Sequence, residues 1–395
     1  MILKSNINKI KKPYSIGIIG GGQLALMLVE AAKKRGLKVC IQTNSIEDPA
    51  GIYSDFVVEA DPLQLKGNKS LICECDKIIF ENEWIKIDKL KQLKSDDFFI
   101  PKLEALEPLV DRISQKKFIE KLNLPTPKWI TLASLREKET LCKGYSYPLM
   151  AKSFKGGYDG KGNKKINNEE DLKSFIDKTN SNDWLFEEWI DFEKEFALVG
   201  SRDHSGEIRL FPIVETFQVN NICDWVLSPA KTNYEINLFA LNIFSSIVNE
   251  LDYVGVLGIE FFFGKNGLLI NEIAPSTHNS GHFSIEACSS SQFDQHICIS
   301  TGIQTPDIKM KSKGSLMVNL LGLKKNCLLT LDERIKRLSE LDGSNLHWYG
   351  KSKEIFGRKM GHITFLLHEN NYEDRLQRSQ SIIKSIRKIW PSPYQ

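Results

Sequence analysis

The segment that most restricts the fold runs over residues 14–45. It reads YSIGIIG, then GGQ, then LALMLVEAAKKRG closed by Gly36, then LKVCIQT. An apolar strand, a glycine turn, an amphipathic helix and a second apolar strand make a βαβ unit. Two further short apolar runs, FVVEAD and DKIIFENE, follow as candidate strands of the same parallel sheet. Gly20, Gly22 and Ala25 meet the G-x-G-x-x-G/A spacing of dinucleotide-binding turns. The second strand, however, ends in Gln42, Thr43 and Asn44, where a ribose-binding acid is required. A nicotinamide site is therefore the weakest reading. The turn is read as structural, or as an anion site on a helix N-terminus.

The chain of 395 residues carries 53 basic and 50 acidic side chains, a net charge of +3, so no domain-wide basic footprint marks nucleic acid as a partner. Its 41% hydrophobic content fits a globular protein of about two or three domains. The 8 cysteines include no C-x-x-C pair, which is the usage of a reduced compartment. Cys73 and Cys75, two residues apart, share one face of any strand and are expected to be core. No apolar run reaches the length of a membrane span, and the lysine-rich start lacks a signal core. A cytoplasmic protein is expected, its first residues a floppy extension.

The texture changes at Pro108. LVDRISQKKFIEKLNLPTP reads as a helix ending before Leu124-Pro125, and from there strand signals recur in an α+β, largely antiparallel pattern. They lie at YPLMAKSF, NKKI, DWLFEEWI, EFALVGSR, EIRLFPIVE, VLGIEFFF and GLLINEIA, with helices at EEDLKSFIDK and NLFALNIFSSIVNEL. After Pro306 come GSLMVNLLG, LHWYGKS, GHITFLL and a last basic helix, a tail too short for a deep core of its own, which should pack on the rest.

Five places carry chemistry. Glu260 and Glu272 lie in two apolar runs joined through Gly264-Lys265-Asn266-Gly267. A hairpin with an odd loop centred on Asn266 makes them direct cross-strand neighbours, with Cβ atoms ~5 Å apart. Facing carboxylates need a cation between them, and hard oxygen ligands suit magnesium bound with nucleotide phosphates. The alternative is a register change that separates the pair. Second, KSFKGGYDGKGN, from Lys152 to Asn163, offers glycine-freed amides and lysines to phosphate, although it does not meet the P-loop spacing; a plain hairpin is the alternative. Third, FEEWIDFEKE carries Glu187, Glu188 and Glu195 on or beside an extended strand able to meet an adenine edge and ribose hydroxyls, or simply to form an acidic edge. Fourth, His278, Asn279, Ser280 and His282 form a polar loop after the second carboxylate strand, where a cleft is expected. Fifth, Lys351, Lys353, Arg358 and Lys359 surround a glycine turn, enough for a phosphate ester, with a solvated charge run as the alternative.

In this order, IGIIGGGQLALML, KGGYDGKGN, INEIAPSTHNSGH with SQF, and GRKMGH resemble the ATP-grasp superfamily and, within it, the N5-carboxyaminoimidazole ribonucleotide synthase family. The resemblance implies a Rossmann-like pre-ATP-grasp domain (1–107), an ATP-grasp domain with a mobile lid (108–306) and a small β-rich C-terminal domain (307–395), usually as a homodimer. It implies ATP- and bicarbonate-dependent carboxylation of 5-aminoimidazole ribonucleotide in purine biosynthesis, with ATP and Mg2+. Arg112 and Lys152 would meet nucleotide phosphates, beneath a lid from Gly157 through Gly160 and Gly162 to Asn163. Glu187, Glu188, Trp189 and Ile190 would line adenine and Glu195 the ribose. Gln218 stands at a nucleotide-contacting position usually held by His. Glu260 and Glu272, with Asn271, would manage the metal. Tyr158, Asp159, Lys161, His278 and Asn279 would serve the carboxylation site; Lys351, Arg358 and Lys359 would hold the substrate phosphate. Ser276 stands where the family usually has Arg. A formate-using ligase of the same superfamily and a non-catalytic nucleotide-binding homologue are the competing readings.

Overall fold

The computed structural model describes residues 15–136, 145–154, 162–179, 183–323, 328–351 and 353–394. The lysine-rich start and the lid residues Gly157, Tyr158, Asp159, Gly160 and Lys161 lie outside these ranges.

The opening βαβ pattern becomes a five-stranded parallel sheet, in the order Phe56–Glu59, Lys38–Thr43, Ser15–Ile19, Lys77–Phe80 and Phe99–Ile100. The last of these, at two residues, was too short to show in the hydrophobic pattern. Cys73 and Cys75 are not on a strand. Cys73 lies in the helix Leu65–Glu74 and is exposed, and half-buried Cys75 caps that helix beside Cys40. Spacing of two residues puts side chains on one face only where the chain is extended throughout, and here Cys73 is helical while Cys75 is already extended.

A four-stranded antiparallel sheet follows, in the order Trp129–Thr131, Trp184–Glu188, Leu149–Ser153 and Asn163–Ile166. The remaining strands form one nine-stranded sheet. Its path is Gly267–Ala274, Gly255–Gly264, Lys194–Arg202, Val214–Val219, Ile222–Ser228, Gly314–Leu321, Lys359–Leu367 and Ser344–Trp348, with Ile208–Leu210 beside Lys194–Arg202. The strand Ile222–Ser228 has no clean alternation, and its signal is the turn before it. Asn220 and Asn221 have φ of 51° and 61°, the two left-handed residues of a tight hairpin.

The tail packs on the rest by continuing their sheet, since Ile222–Ser228 pairs with Gly314–Leu321. The helix Tyr372–Ile389 is anchored by Trp390, fully buried, whose Nε1 donates to the carbonyl of Leu321 at 2.8 Å. A continuous apolar cluster including Phe80, Phe99, Phe196 and Ile259 joins the parallel sheet to the large one. That shared core holds the carboxyl ends of the parallel strands against the face of the large sheet, and a cleft is left between them.

Candidate active site

The cleft is a cavity of about 610 Å³. It is lined by Arg112, Lys152, Asn163, Glu187, Glu188, Trp189, Ile190, Glu195, Gln218, Glu260, Asn271, Glu272, His278, Asn279, Lys351, Arg358 and Lys359. Of the expected site residues within the described ranges, Gly162 and the exposed Lys353 are not part of its lining. Gly162 has φ of 80°, and its carbonyl accepts from the Ser153 amide at 2.9 Å, extending the pairing of Leu149–Ser153 with Asn163–Ile166.

Glu260 and Glu272 are direct cross-strand partners, as expected, but the route to that register is different. Gly264 pairs with Gly267, so the turn contains two residues, Lys265 and Asn266, and pairs next to it sum to 531. A β-bulge between Glu260 and Phe261 then shifts the register, leaving Asn271 as the extra residue. Without the bulge, Glu260 would oppose Asn271 and Glu272 would face the other side of the sheet. With it, Glu260, Asn271 and Glu272 share one face: Asn271 Nδ2 donates to Glu260 Oε2 at 3.3 Å, and Lys152 Nζ donates to Asn271 Oδ1 at 2.9 Å.

Two cations of the cleft, Arg112 and Lys152, are held by carboxylates. Arg112 opens the helix Arg112–Lys121, which Asp111 caps by accepting from the amides of Ile113 and Ser114. Its guanidinium lies 3.1 Å from Glu272. Burial works against that charge, but Glu272, Glu187 and Glu260 outweigh it and raise its pKa. Glu187 sits 2.8 Å from Lys116 and 2.6 Å from Lys152, with all three side chains nearly inaccessible. Burial pushes the Glu187 carboxyl up; the two ammonium groups and their hydrogen bonds more than reverse this, to about 2. Glu187 is thus a buried counter-ion whose carboxylate is spent on two lysines. Glu188, at the cavity wall, accepts from the amide of Lys128.

His278 has a defined tautomer. Its Nδ1 accepts from the Ser280 amide at 3.3 Å, so the proton is on Nε2, which faces Glu260 Oε1 at 3.3 Å. His282 is fully buried and does not reach substrate as an ion: burial, then the nearby charge of Lys359, holds its pKa well below the ordinary value. Ser276 is buried, with its hydroxyl turned to the carbonyl of Thr277.

Sequence reasoning missed Lys116, Glu81, Glu83 and Gln23. The acid on the first helix is the chain's own: Glu81 Oε2 accepts from the Gly22 amide at 2.8 Å, and burial raises its pKa while the amides of Gly22, Ala25 and Leu24 oppose the rise. Gly20, at φ of 123°, leaves room for it, since a Cβ there would lie 2.5 Å from Glu81. The available signal was position, because Glu81 follows a parallel strand at its carboxyl end, where such sheets bind ligands. Glu83 is pushed up to about 7 by burial, with Glu272 adding to the rise and Arg112 opposing it. Gln23 Oε1 accepts from Lys351 Nζ at 2.8 Å, tying the basic turn near the C-terminus to the first helix.

Glu195 is raised to about 7 by burial and then by the charge of Glu260, against a hydrogen bond from Gln218 and the pull of Lys152. If the ionised form receives ribose hydroxyls, metal-free ADP binds up to about tenfold more tightly at pH 8 than at pH 6. Glu195→Gln is expected to remove most of that slope in calorimetric titrations; an unchanged slope assigns it to another group.

Among the described residues no cluster of three or more His, Cys, Asp or Glu side chains is placed to hold a metal. The donors fit a hard cation all the same: two carboxylates and an amide oxygen on one face, to be completed by phosphate oxygens and water in the manner of magnesium.

Comparison with known proteins finds relatives along most of the chain. Residues 14–109 match the ribonucleotide synthetase preATP-grasp domain, 117–293 the ATP-grasp domain and 315–376 the phosphoribosylaminoimidazole carboxylase C-terminal domain. An N5-carboxyaminoimidazole ribonucleotide synthase from Synechococcus elongatus is 36% identical over 379 residues, 96% of each chain. The chain belongs to the N5-carboxyaminoimidazole ribonucleotide synthase family. A Staphylococcus aureus family member is 34% identical over 372 residues, covering 94% of this chain and 97% of its own. The crystal structure of a Staphylococcus aureus synthetase complexed with ADP superposes with a TM-score of 0.85 at 32% identity, covering 96% of this chain and 99% of that one. The Aspergillus clavatus enzyme, in complex with ADP and 5-aminoimidazole ribonucleotide, gives 0.84 at 26% identity, covering 95% and 99%. Among the described residues no helix is long and apolar enough to cross a membrane.

Proposed function

We propose that this cleft carboxylates the exocyclic amine of 5-aminoimidazole ribonucleotide, using ATP and bicarbonate, to give N5-carboxyaminoimidazole ribonucleotide, ADP and phosphate in purine biosynthesis. The protein is an ADP-forming carbon–nitrogen ligase. The observation that carries this reading is one cavity holding a carboxylate pair beside Arg112 and Lys152 together with the basic residues Lys351, Arg358 and Lys359. The first set suits a nucleotide triphosphate with its metal, and the second a ribonucleotide phosphate.

Bicarbonate is a poor electrophile. An oxygen of bicarbonate attacks the γ-phosphorus, ADP leaves, and the carboxyphosphate formed releases phosphate as its carbon passes to the amine, which gives up a proton. Arg112 and Lys152 neutralise charge that spreads over the transferring phosphoryl group, under the lid from Gly157 to Asn163. Glu188, Trp189 and Ile190 line the base, while Glu195 and Gln218 face the ribose. Glu187 fixes Lys152, and His278 and Asn279 orient the ribonucleotide beside Tyr158, Asp159 and Lys161. Glu260 and Glu272 would hold Mg2+, which supplies charge neutralisation between the phosphates when bound. Division at about 107 and 306, a homodimer and a cytoplasmic location complete the proposal.

The test is product chemistry. ADP release is expected to require both bicarbonate and 5-aminoimidazole ribonucleotide, and labelled bicarbonate to appear in an acid-labile carbamate. Formate incorporation into a stable formamide would replace this reading with that of the formate-using ligase. Absent or substrate-independent ADP release would favour a non-catalytic homologue, a reading motivated by Ser276.

A further inference from the structure

Asn279 lines the cavity and opens the tight turn Asn279–Gly281, yet nothing in that turn decides which end of its amide faces the ligand. The decision comes from Asn319, which is not part of the lining. Asn319 lies in the strand Gly314–Leu321, fully buried, opposite His362 of the neighbouring strand. Its Nδ2 donates to the carbonyl of Cys223 at 2.8 Å and to Asn279 Oδ1 at 2.9 Å, and its Oδ1 accepts from Asn279 Nδ2 at 3.0 Å. A backbone carbonyl only accepts, so the corner of Asn319 nearest Cys223 must be nitrogen. The other corner is then oxygen, and it must meet the nitrogen of Asn279. The Cys223 carbonyl, two residues into the strand Ile222–Ser228, therefore sets the orientation of an amide at the active site through one intermediate side chain.

We propose that Asn319 is a positioning residue for the carboxylation reaction, holding the Asn279 amide so that one N–H and one oxygen lone pair are presented to the ribonucleotide. It rests on the reading of Asn279 as a substrate contact. The reciprocal pair uses half of the hydrogen-bonding capacity of Asn279 and leaves a single rotamer and flip for the remainder. Replacing Asn319 leaves Asn279 with two unmatched groups at the edge of a buried site, and the amide then turns to satisfy them elsewhere.

The experiment is a double-mutant cycle on the full chain with Asn319→Ser, Asn319→Leu and Asn279→Ala. Each single variant is expected to lower kcat/KM for 5-aminoimidazole ribonucleotide by about tenfold while leaving the KM for ATP within about twofold. In the Asn279→Ala background either Asn319 substitution is expected to cost less than about twofold more, because its route to substrate has been removed. Two alternative Asn319 variants keep the test open should one fail to fold. Losses that multiply in the double variant, or that fall equally on ATP, make Asn319 merely structural and overturn the inference. An Asn279→Ala variant with unaltered kinetics overturns the role of Asn279 itself, and is seen before the cycle is closed.

Discussion

Glu272→Gln is expected to lower kcat by at least about a hundredfold and to weaken ADP binding in the presence of Mg2+ by about tenfold or more. The same variant is expected to bind metal-free ADP more tightly than the wild type. The opposed signs come from Arg112, which lies 3.1 Å from Glu272 in the free protein. A phosphate that is to use this guanidinium must first draw it from the carboxylate, and Mg2+, if held by Glu260 and Glu272, would supply a positive charge that competes with Arg112 for Glu272. Neutralising Glu272 releases Arg112 but would also take away one of the two carboxylates proposed to hold Mg2+. Calorimetry of ADP with and without Mg2+, beside turnover, reads both effects. Weakening in both conditions would mean that Arg112 does not exchange between Glu272 and nucleotide. Unchanged turnover would remove Glu272 from the metal site altogether.

Glu187→Leu carries the largest expected loss of stability, about 3–5 kcal/mol, because it leaves Lys116 and Lys152 buried together without a counter-ion. The pH dependence follows from the carboxyl's depressed value of about 2 in the folded chain, below the ordinary 4.5. A depressed carboxyl contributes stability that is complete above the unfolded value and is lost as pH falls toward the folded one. The gap between wild type and variant in denaturant unfolding is therefore expected to be full at neutral pH and to narrow from about pH 4.5 toward 2. A gap below about 1 kcal/mol at neutral pH would show that water reaches the two lysines and solvates them.

The carboxylate pair shows how far a pattern can be read and where it stops. Apolar alternation and two glycines were enough to place a hairpin over residues 255–274 and to make Glu260 and Glu272 neighbours. The pattern predicts an odd loop; the loop has two residues, and the bulge at Asn271 restores the pairing. The bulge leaves one mark in the periodicity: two adjacent polar residues, Asn271 and Glu272, stand between the buried Ile270 and Ile273, where strict alternation has one. Position 188 and its neighbours Trp189 and Ile190 were legible as a strand end with polar reach. Glu187 was legible as a strand residue but not as an ion partner, since Lys116 belongs to a helix of another segment. The lid motif was legible in its glycines, and its placement falls outside the described residues.

Local chemistry in the chain alone settled most of the strands and helices, the parallel opening, the run of polar groups after Ala274 and the family to which they belong; the helix Leu65–Glu74 and the strands Phe99–Ile100 and Ile222–Ser228 escaped it. Those signals act over a few residues, through the two-residue period of a strand, the 3.6-residue period of a helix and the turn preferences of glycine and asparagine. Partnership was settled only by the packed sheets. Glu81 meets Gly22 across 59 positions, Lys152 meets Asn271 across 119, and Asn319 meets Asn279 across 40. Whether a buried charge or amide is satisfied depends on which strand lies beside its own, a matter decided by the burial of apolar faces rather than by the residue itself.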